Sequence, residues 1–276
     1  MIRPIVAIVR RNLLKFTRDR MRLLLSLLMS GVFLFIFSFV TKSAAAGLEH
    51  PMNYLISGIV IMTVFQTSLN NSMGILEDIQ SGFMKEILVS PIQRWQIAVG
   101  QILSSTVISV LQGAIIIVAG LFLGLKFDLL HGVLALGVMT LSGLTFSAVG
   151  LYLAALAKDS SNFQLLVMLV TLPLTFLSGA YIPVTVLPRI LLPVVCLNPL
   201  TYTTAVFRYV MLGMETLPTA ALVKSGVAFS VGGGLVITPL FSSLLVLVLG
   251  AIFLVLCVRR FSRANFSSVK VFHRHH

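Results

Sequence analysis

Residues 23–40 read LLLSLLMSGVFLFIFSFV, eighteen positions without a charged side chain. A bilayer core takes about 20 mostly apolar residues per helix, at 1.5 Å each. Five further stretches of this kind follow, at about 52–75, 95–125, 132–157, 163–181 and 231–258. Charged residues make up only 10% of the chain and apolar residues 58%, with mean hydropathy +1.04. A soluble domain carries about 25% charged residues. Too few polar side chains are present to cover a water-facing globule. A soluble enzyme, a disordered chain and a disulfide scaffold are thereby excluded, the last because only Cys196 and Cys257 occur. The pattern predicts an all-α integral membrane protein with six transmembrane helices. The 95–125 stretch is longer than a bilayer needs, so it tilts or protrudes.

The stretch 182–200, IPVTVLPRILLPVVCLNPL, is apolar but broken by Pro183, Pro188, Pro193 and Pro199 and carries Arg189. Proline removes a donor and clashes within a helix. Irregular backbone at membrane depth must be satisfied by protein or water. Residues 182–213 are therefore expected to be short helices dipping in from one side, a re-entrant segment between spans five and six. A seventh span is the alternative.

The net charge of +12 sits at the two ends. Residues 1–22 and 259–276 together hold 12 Lys/Arg and one acid, Asp19; the middle holds 8 Lys/Arg and 7 acids. This distribution reads as membrane orientation and not as nucleic-acid binding. With six spans both termini share a side. That side collects 15 Lys/Arg and the other 5. The excess places both termini in the cytoplasm. The basic start followed by an apolar run resembles a signal peptide, but the run is long and lacks a small-residue cleavage site, so it is kept as a span. The chain thus divides into an interfacial helix at 1–22, a six-span bundle at 23–258 and a basic cytoplasmic tail at 259–276, together one transmembrane domain.

On a helical wheel Ile5, Val6, Val9, Leu13 and Phe16 share one face, with Arg11, Lys15 and Arg18 opposite. This is the pattern of a helix lying in the headgroup plane with its bases toward anionic lipid. A frayed basic flank is the plainer alternative. The loop at 77–94, EDIQSGFMKEILVSPIQR, places Phe83, Met84, Ile87 and Leu88 on one stripe of a short helix that ends at Ser90-Pro91. Such a helix fits either a partner's groove or the inner membrane face. Gln66, Asn70 and Asn71 form an i, i+4, i+5 polar cluster, which lines a path or joins helices.

Several chemistries have no residues to carry them. None of the six spans has Asp, Glu, Lys or Arg at its middle, where ion-coupled transporters usually carry them. No phosphate loop, metalloprotease motif, nucleophile elbow or Cys/His cluster occurs. The terminal His273, His275 and His276 read as an unstructured end.

With this layout the chain resembles the permease subunits of the ABC type-2 export family. The resemblance rests on the basic amphipathic start and the six-span, both-ends-inside topology. It also rests on Glu77 with Gly82-Phe83-Met84-Lys85-Glu86-Ile87-Leu88-Val89-Ser90-Pro91. Its most specific part is Leu177-Ser178-Gly179-Ala180-Tyr181-Ile182-Pro183, followed by Leu197-Asn198-Pro199-Leu200-Thr201-Tyr202 and Phe207-Arg208-Tyr209. The resemblance implies a permease of the plasma (inner) membrane, with no cofactor and no catalytic residue of its own. Two permease chains, a homodimer, would pair with two separate P-loop ATPase subunits that hold ATP and Mg. Glu77, Gly82, Phe83, Glu86, Leu88, Ser90 and Pro91 would form the coupling helix seated on the ATPase. Gly179, Tyr181, Pro183, Asn198, Pro199, Tyr202 and Arg208 would form the outer gate. Gln66, Asn70 and Asn71 are the pathway candidates. An amphiphilic, drug-like or lipid-linked glycan cargo would move outward. The competing readings are an ion-coupled secondary transporter or channel, and a membrane scaffold.

Overall fold

A computed structural model describes residues 2–21, 24–25, 28–29, 31–32, 35–36, 51–89, 92–122, 125, 128–180, 188–224, 227–231 and 235–263. The first expected span, 23–40, falls largely outside the described residues, as do the tail from residue 264, Ser90, Pro91, Tyr181 and Pro183.

Helix α1 (Arg3–Arg18) starts with proline in its first turn, where no intrahelical donor is needed, and ends with Lys15 and Arg18 against the negative end of its dipole. Helix α2 (Pro51–Asn70) stops at a turn, after which α3 (Met73–Gln80) resumes. The span expected at 52–75 is thus interrupted. The amides of Asn71 and Ser72 bond back to Thr67 and Leu69, and Gln101 Nε2 donates to the Asn71 carbonyl at 3.1 Å. That bond holds the turn open at the point where the side chains become polar. Gly82, at φ 80°, makes the left-handed turn into α4 (Phe83–Val89).

Helix α5 (Arg94–Phe122) spans about 44 Å at 1.5 Å per residue, more than a bilayer core of about 30 Å. The surplus has a use, because its first turns carry α1: Ile8 lies against Gly100, where a Cβ would meet it at 3.1 Å. Helix α6 (Leu129–Leu156) is the centre of the bundle and packs on α2, α5 and the last helix. Phe65 and Phe146 meet edge to face, with ring centroids 4.6 Å apart. Helix α7 (Ser160–Leu177) begins three residues before the expected 163, because the Asp159 carboxylate accepts from the Asn162 amide at 2.7 Å and caps it.

The short helices α8 (Leu192–Leu197) and α9 (Pro199–Met211) follow. Asn198 caps α9 by accepting from the Leu200 amide at 2.9 Å, with Pro199 in the first turn. At 13 residues α9 reaches about 20 Å, too short to be a seventh span. It is nonetheless buried along most of its length against α2, α6 and the last helix. Helix α10 (Thr219–Lys224) leads to an antiparallel hairpin, β1 (Phe229–Val231) with β2 (Leu235–Ile237). The last helix, α11, runs Pro239–Arg263. The sixth span's start at 231 needs correction here, since a short hairpin precedes the helix. Residues 229–231 and 235–237, with Phe229, Val231, Val236 and Ile237 among them, pair as strands, and Pro239 opens the helix.

Five helices among the described residues are long and apolar enough to cross a membrane. The protein is a multi-pass, predominantly helical membrane protein.

Candidate functional site

Two constellations stand at opposite ends of the bundle. The first joins α1, α3, α4 and the start of α5. Arg11 pairs with Asp78 in a short contact, and Lys15 Nζ meets Glu77 Oε2 at 2.8 Å. The Arg11 guanidinium also lies 4.7 Å from the centre of the Phe83 ring. Asn12 Nδ2 donates to Gln101 Oε1 and to Ser104 Oγ, both at 2.8 Å. Phe16 is buried. This arrangement corrects the expectation that Arg11 and Lys15 face lipid. Their side of α1 meets acids of the same chain, while Val6, Arg10 and Leu14 are exposed.

The coupling-helix candidates divide at Gly82. Glu77 belongs to α3, while Phe83, Glu86 and Leu88 belong to α4. The described part of this segment, 77–89, therefore belongs to two short helices and not one. Met84 is buried in the core with Leu76 and Ile97, which anchors α4. Glu86 is exposed, and Val89, one turn on, is 89% exposed, so the end of α4 projects from the protein. Helix α3 is also tied to the start of α7, since Ser160 Oγ donates to Gln80 Oε1 at 3.1 Å. Helix α3 thus contacts both α1 and α7 directly.

The second constellation centres on Arg208 of α9, only 2% exposed. Its Nη1 donates to the Tyr54 hydroxyl and to the Gly179 carbonyl, both at 2.7 Å, and its Nη2 to the Ala180 carbonyl at 2.6 Å. The guanidinium stacks 3.5 Å from the centre of the Tyr54 ring. No carboxylate bonds to it among the described residues. The carbonyls just past the end of α7 supply the negative potential instead, with the tyrosine face beneath. Gly58 makes this approach possible, because a Cβ there would run into the Ala180 carbonyl oxygen. Asn198 Nδ2 donates to the Leu174 carbonyl at 2.8 Å, a second tie from α9 to the end of α7. The Tyr202 hydroxyl donates to the Cys196 carbonyl. Of the outer-gate candidates, Gly179, Asn198, Pro199, Tyr202 and Arg208 thus gather around the α7–α9 junction.

The pathway candidates differ in their surroundings. Gln66 is half-buried, Asn70 exposed, and Asn71 buried in the turn outside the helix. The buried polar line lies instead on α5, at Gln101, Ser104, Ser105, Ser109 and Gln112, with Thr67 donating to Gln112. Sequence reasoning missed Asn12, Tyr54, Gly58, Gln101, Ser104 and Ser105. A signal existed for α5, where these polar residues recur at helical spacing. Among the described residues no group of His, Cys, Asp and Glu is arranged to hold a metal ion.

The model of the ABC-2 type transporter family matches residues 3–212. A putative transport permease, ycf38, of Cyanophora paradoxa is 27% identical over 87% of this chain and 85% of its own length. The inner membrane transport permease YadH of Escherichia coli is 26% identical over 60% of this chain and 65% of its own. A probable multidrug ABC transporter permease of the same organism, YbhR, is 25% identical over 56% of this chain and 42% of its own. The matched region contains both constellations, and the chain belongs to the ABC-2 type transporter family as a membrane-spanning permease.

Proposed function

We propose that this permease exports an amphiphilic, drug-like or lipid-linked glycan cargo, driven by ATP hydrolysis in a separate subunit that docks on α4. The observation that carries the reading is the tethering of α3 and α4. Their outer surface, with Glu86 and Val89, is exposed, while their inner surface is held to α1 and α7 by Arg11–Asp78, Lys15–Glu77 and Ser160–Gln80. Such a pair of helices accepts a push at one side and delivers it to three others. Gly82 is the hinge between them, and Phe83, Leu88, Ser90 and Pro91 complete the docking segment.

Closure of the ATPase dimer on binding ATP and Mg shifts α4, and α1, α5 and α7 follow. The far end of α7 ends at the Arg208 junction, where Gly179, Tyr181, Pro183, Asn198, Pro199 and Tyr202 form the outer gate. Residues 182–213 enter as a re-entrant segment from the outside. The 15-to-5 distribution of Lys and Arg supports cytoplasmic termini, in a plasma or inner membrane. Two copies of the chain with two ATPase subunits make the complete transporter, and Gln66, Asn70 and Asn71 serve cargo at the cytoplasmic half of the path. No cofactor is bound by this chain. The multidrug wording of the YbhR relative favours an amphiphilic cargo.

The test replaces Glu86 by Arg, or Leu88 by Asp, in the complex with its ATPase. The expected result is normal membrane insertion with ATP hydrolysis no longer stimulated by the permease. Normal stimulation in both variants overturns the assignment of α4. Transport driven by an ion gradient in vesicles holding this chain alone would overturn the ATP-driven reading altogether.

A further inference from the structure

Beneath α1 lies a cavity of about 110 Å³, walled by α1, the α2–α3 turn and α5. Arg11, Lys15 and Asp19 line it from α1 and the residue after it, Glu77 from α3, and Ser104 and Ser105 from α5. Ser105 is 1% exposed, and its hydroxyl has no hydrogen-bond partner among the described residues. A buried hydroxyl is costly unless something meets it, so this one marks the inner end of a place for a polar guest.

The two cations lining the cavity, Arg11 and Lys15, are each met by an acid, Asp78 and Glu77. An anionic guest would gain from the bases only what it lost to the carboxylates. A group carrying one charge of each sign suits both. The Lys15–Glu77 pair is the one available for exchange, because its side chains are 59% and 41% exposed and such pairs are held weakly. A phosphate can take Lys15 while an ammonium takes Glu77, with no net charge buried. The volume equals that of about three or four liquid waters, which admits the polar end of a headgroup and not a whole lipid. A primary ammonium brings N–H donors to the carboxylates; a quaternary ammonium brings none.

We propose that this cavity binds a phosphate–ammonium zwitterion bearing a primary amine, taken either from a phosphatidylethanolamine-type membrane lipid or as the free phosphoethanolamine group. The phosphate meets Lys15, the ammonium meets Glu77, and Ser105 gives the innermost hydrogen bond. Exposed Ile2, Val6 and Leu14 on α1 give an acyl chain an apolar surface to follow. The proposal goes beyond the export reading and needs neither an ATPase nor an identified cargo.

The experiment uses the full-length chain, freed of lipid in detergent, and measures thermal stability against added short-chain phosphatidylethanolamine, phosphatidylcholine and phosphatidylglycerol, and against soluble phosphoethanolamine. Phosphatidylethanolamine is expected to stabilise at concentrations where the other two lipids do not. Ser105→Ala is expected to weaken that response about five- to ten-fold, the worth of one hydrogen bond, without lowering stability in lipid-free detergent. Ser105→Thr keeps the hydroxyl and the response, which separates loss of the guest from loss of the fold. Glu77→Gln is expected to erase the preference for a primary amine. Stabilisation by phosphoethanolamine identifies a site for the free group, and stabilisation by the lipid alone identifies the membrane as its source. Equal stabilisation by the three lipids, or an unchanged preference in Ser105→Ala, overturns the proposal and leaves the cavity to water.

Discussion

Replacing Arg208 with alanine removes three hydrogen bonds at once, to the Tyr54 hydroxyl and to the Gly179 and Ala180 carbonyls. Bonds to a charged group contribute about 1.5–3 kcal/mol each. Burying the guanidinium costs several kcal/mol, and the substitution recovers that cost. What it leaves behind is a void and two carbonyls with no donor from α9. Removing one partner of a buried charged contact typically costs about 3–5 kcal/mol, and that is the expected loss here. At about 2–4 °C per kcal/mol for chains of 150–250 residues, unfolding in detergent should begin roughly 6–20 °C lower. Arg208→Lys should lose about half as much, because an ammonium keeps the charge but not the fork or the ring stacking. Tyr54→Phe should cost about 1.5–2 kcal/mol, since it removes one charged hydrogen bond and keeps the ring under the guanidinium. The assay is a thermal scan of the three variants and wild type in one detergent at one scan rate. If Arg208→Ala melts within 2 °C of wild type, the clasp contributes nothing and the argument fails.

Gly58→Ala, read in the same scan, should cost about 1–3 kcal/mol, because the added methyl meets the Ala180 carbonyl oxygen and pushes the α7 junction away from Arg208. Arg11→Ala and Asp78→Ala, taken as a double-mutant cycle, should show a coupling of about 1 kcal/mol, whereas the more exposed Lys15 and Glu77 should couple by half that or less. Both couplings should shrink as salt rises, the second more than the first. Asp159→Ala should cost about 1 kcal/mol through the lost cap of α7 and Asp159→Asn much less, read as the change in melting temperature.

The parts of this fold that were legible in the sequence are those set by contiguous residues. The apolar runs at 95–125, 132–157 and 163–181 became α5, α6 and α7 with shifts of a few residues at their ends. The parts that were not legible depend on residues far apart in the chain. Arg11 and Asp78 are 67 positions apart, and Tyr54 and Arg208 are 154 apart. A helical wheel of α1 separates its basic side from its apolar side but does not say which of them meets a partner. Lipid was the simpler assumption, and the acids of α3 took that role for Arg11 and Lys15. The hairpin at 229–237 was hidden for a different reason. Its residues are apolar enough to extend the helix that follows, and six paired residues leave little periodic signal.

The account rests on α4 being the place where the ATPase acts. A single cysteine at Val89, exposed at the end of α4, tests this in intact membranes through a short bifunctional cross-linker, with Leu165→Cys on the exposed face of α7 as the control. The account predicts a cross-linked product that contains a P-loop ATPase from Val89→Cys and none from Leu165→Cys, with the yield changing when ATP is added. A permease that copurifies with its ATPase but never cross-links to it from Val89 would contradict the account and move the docking surface elsewhere on the chain.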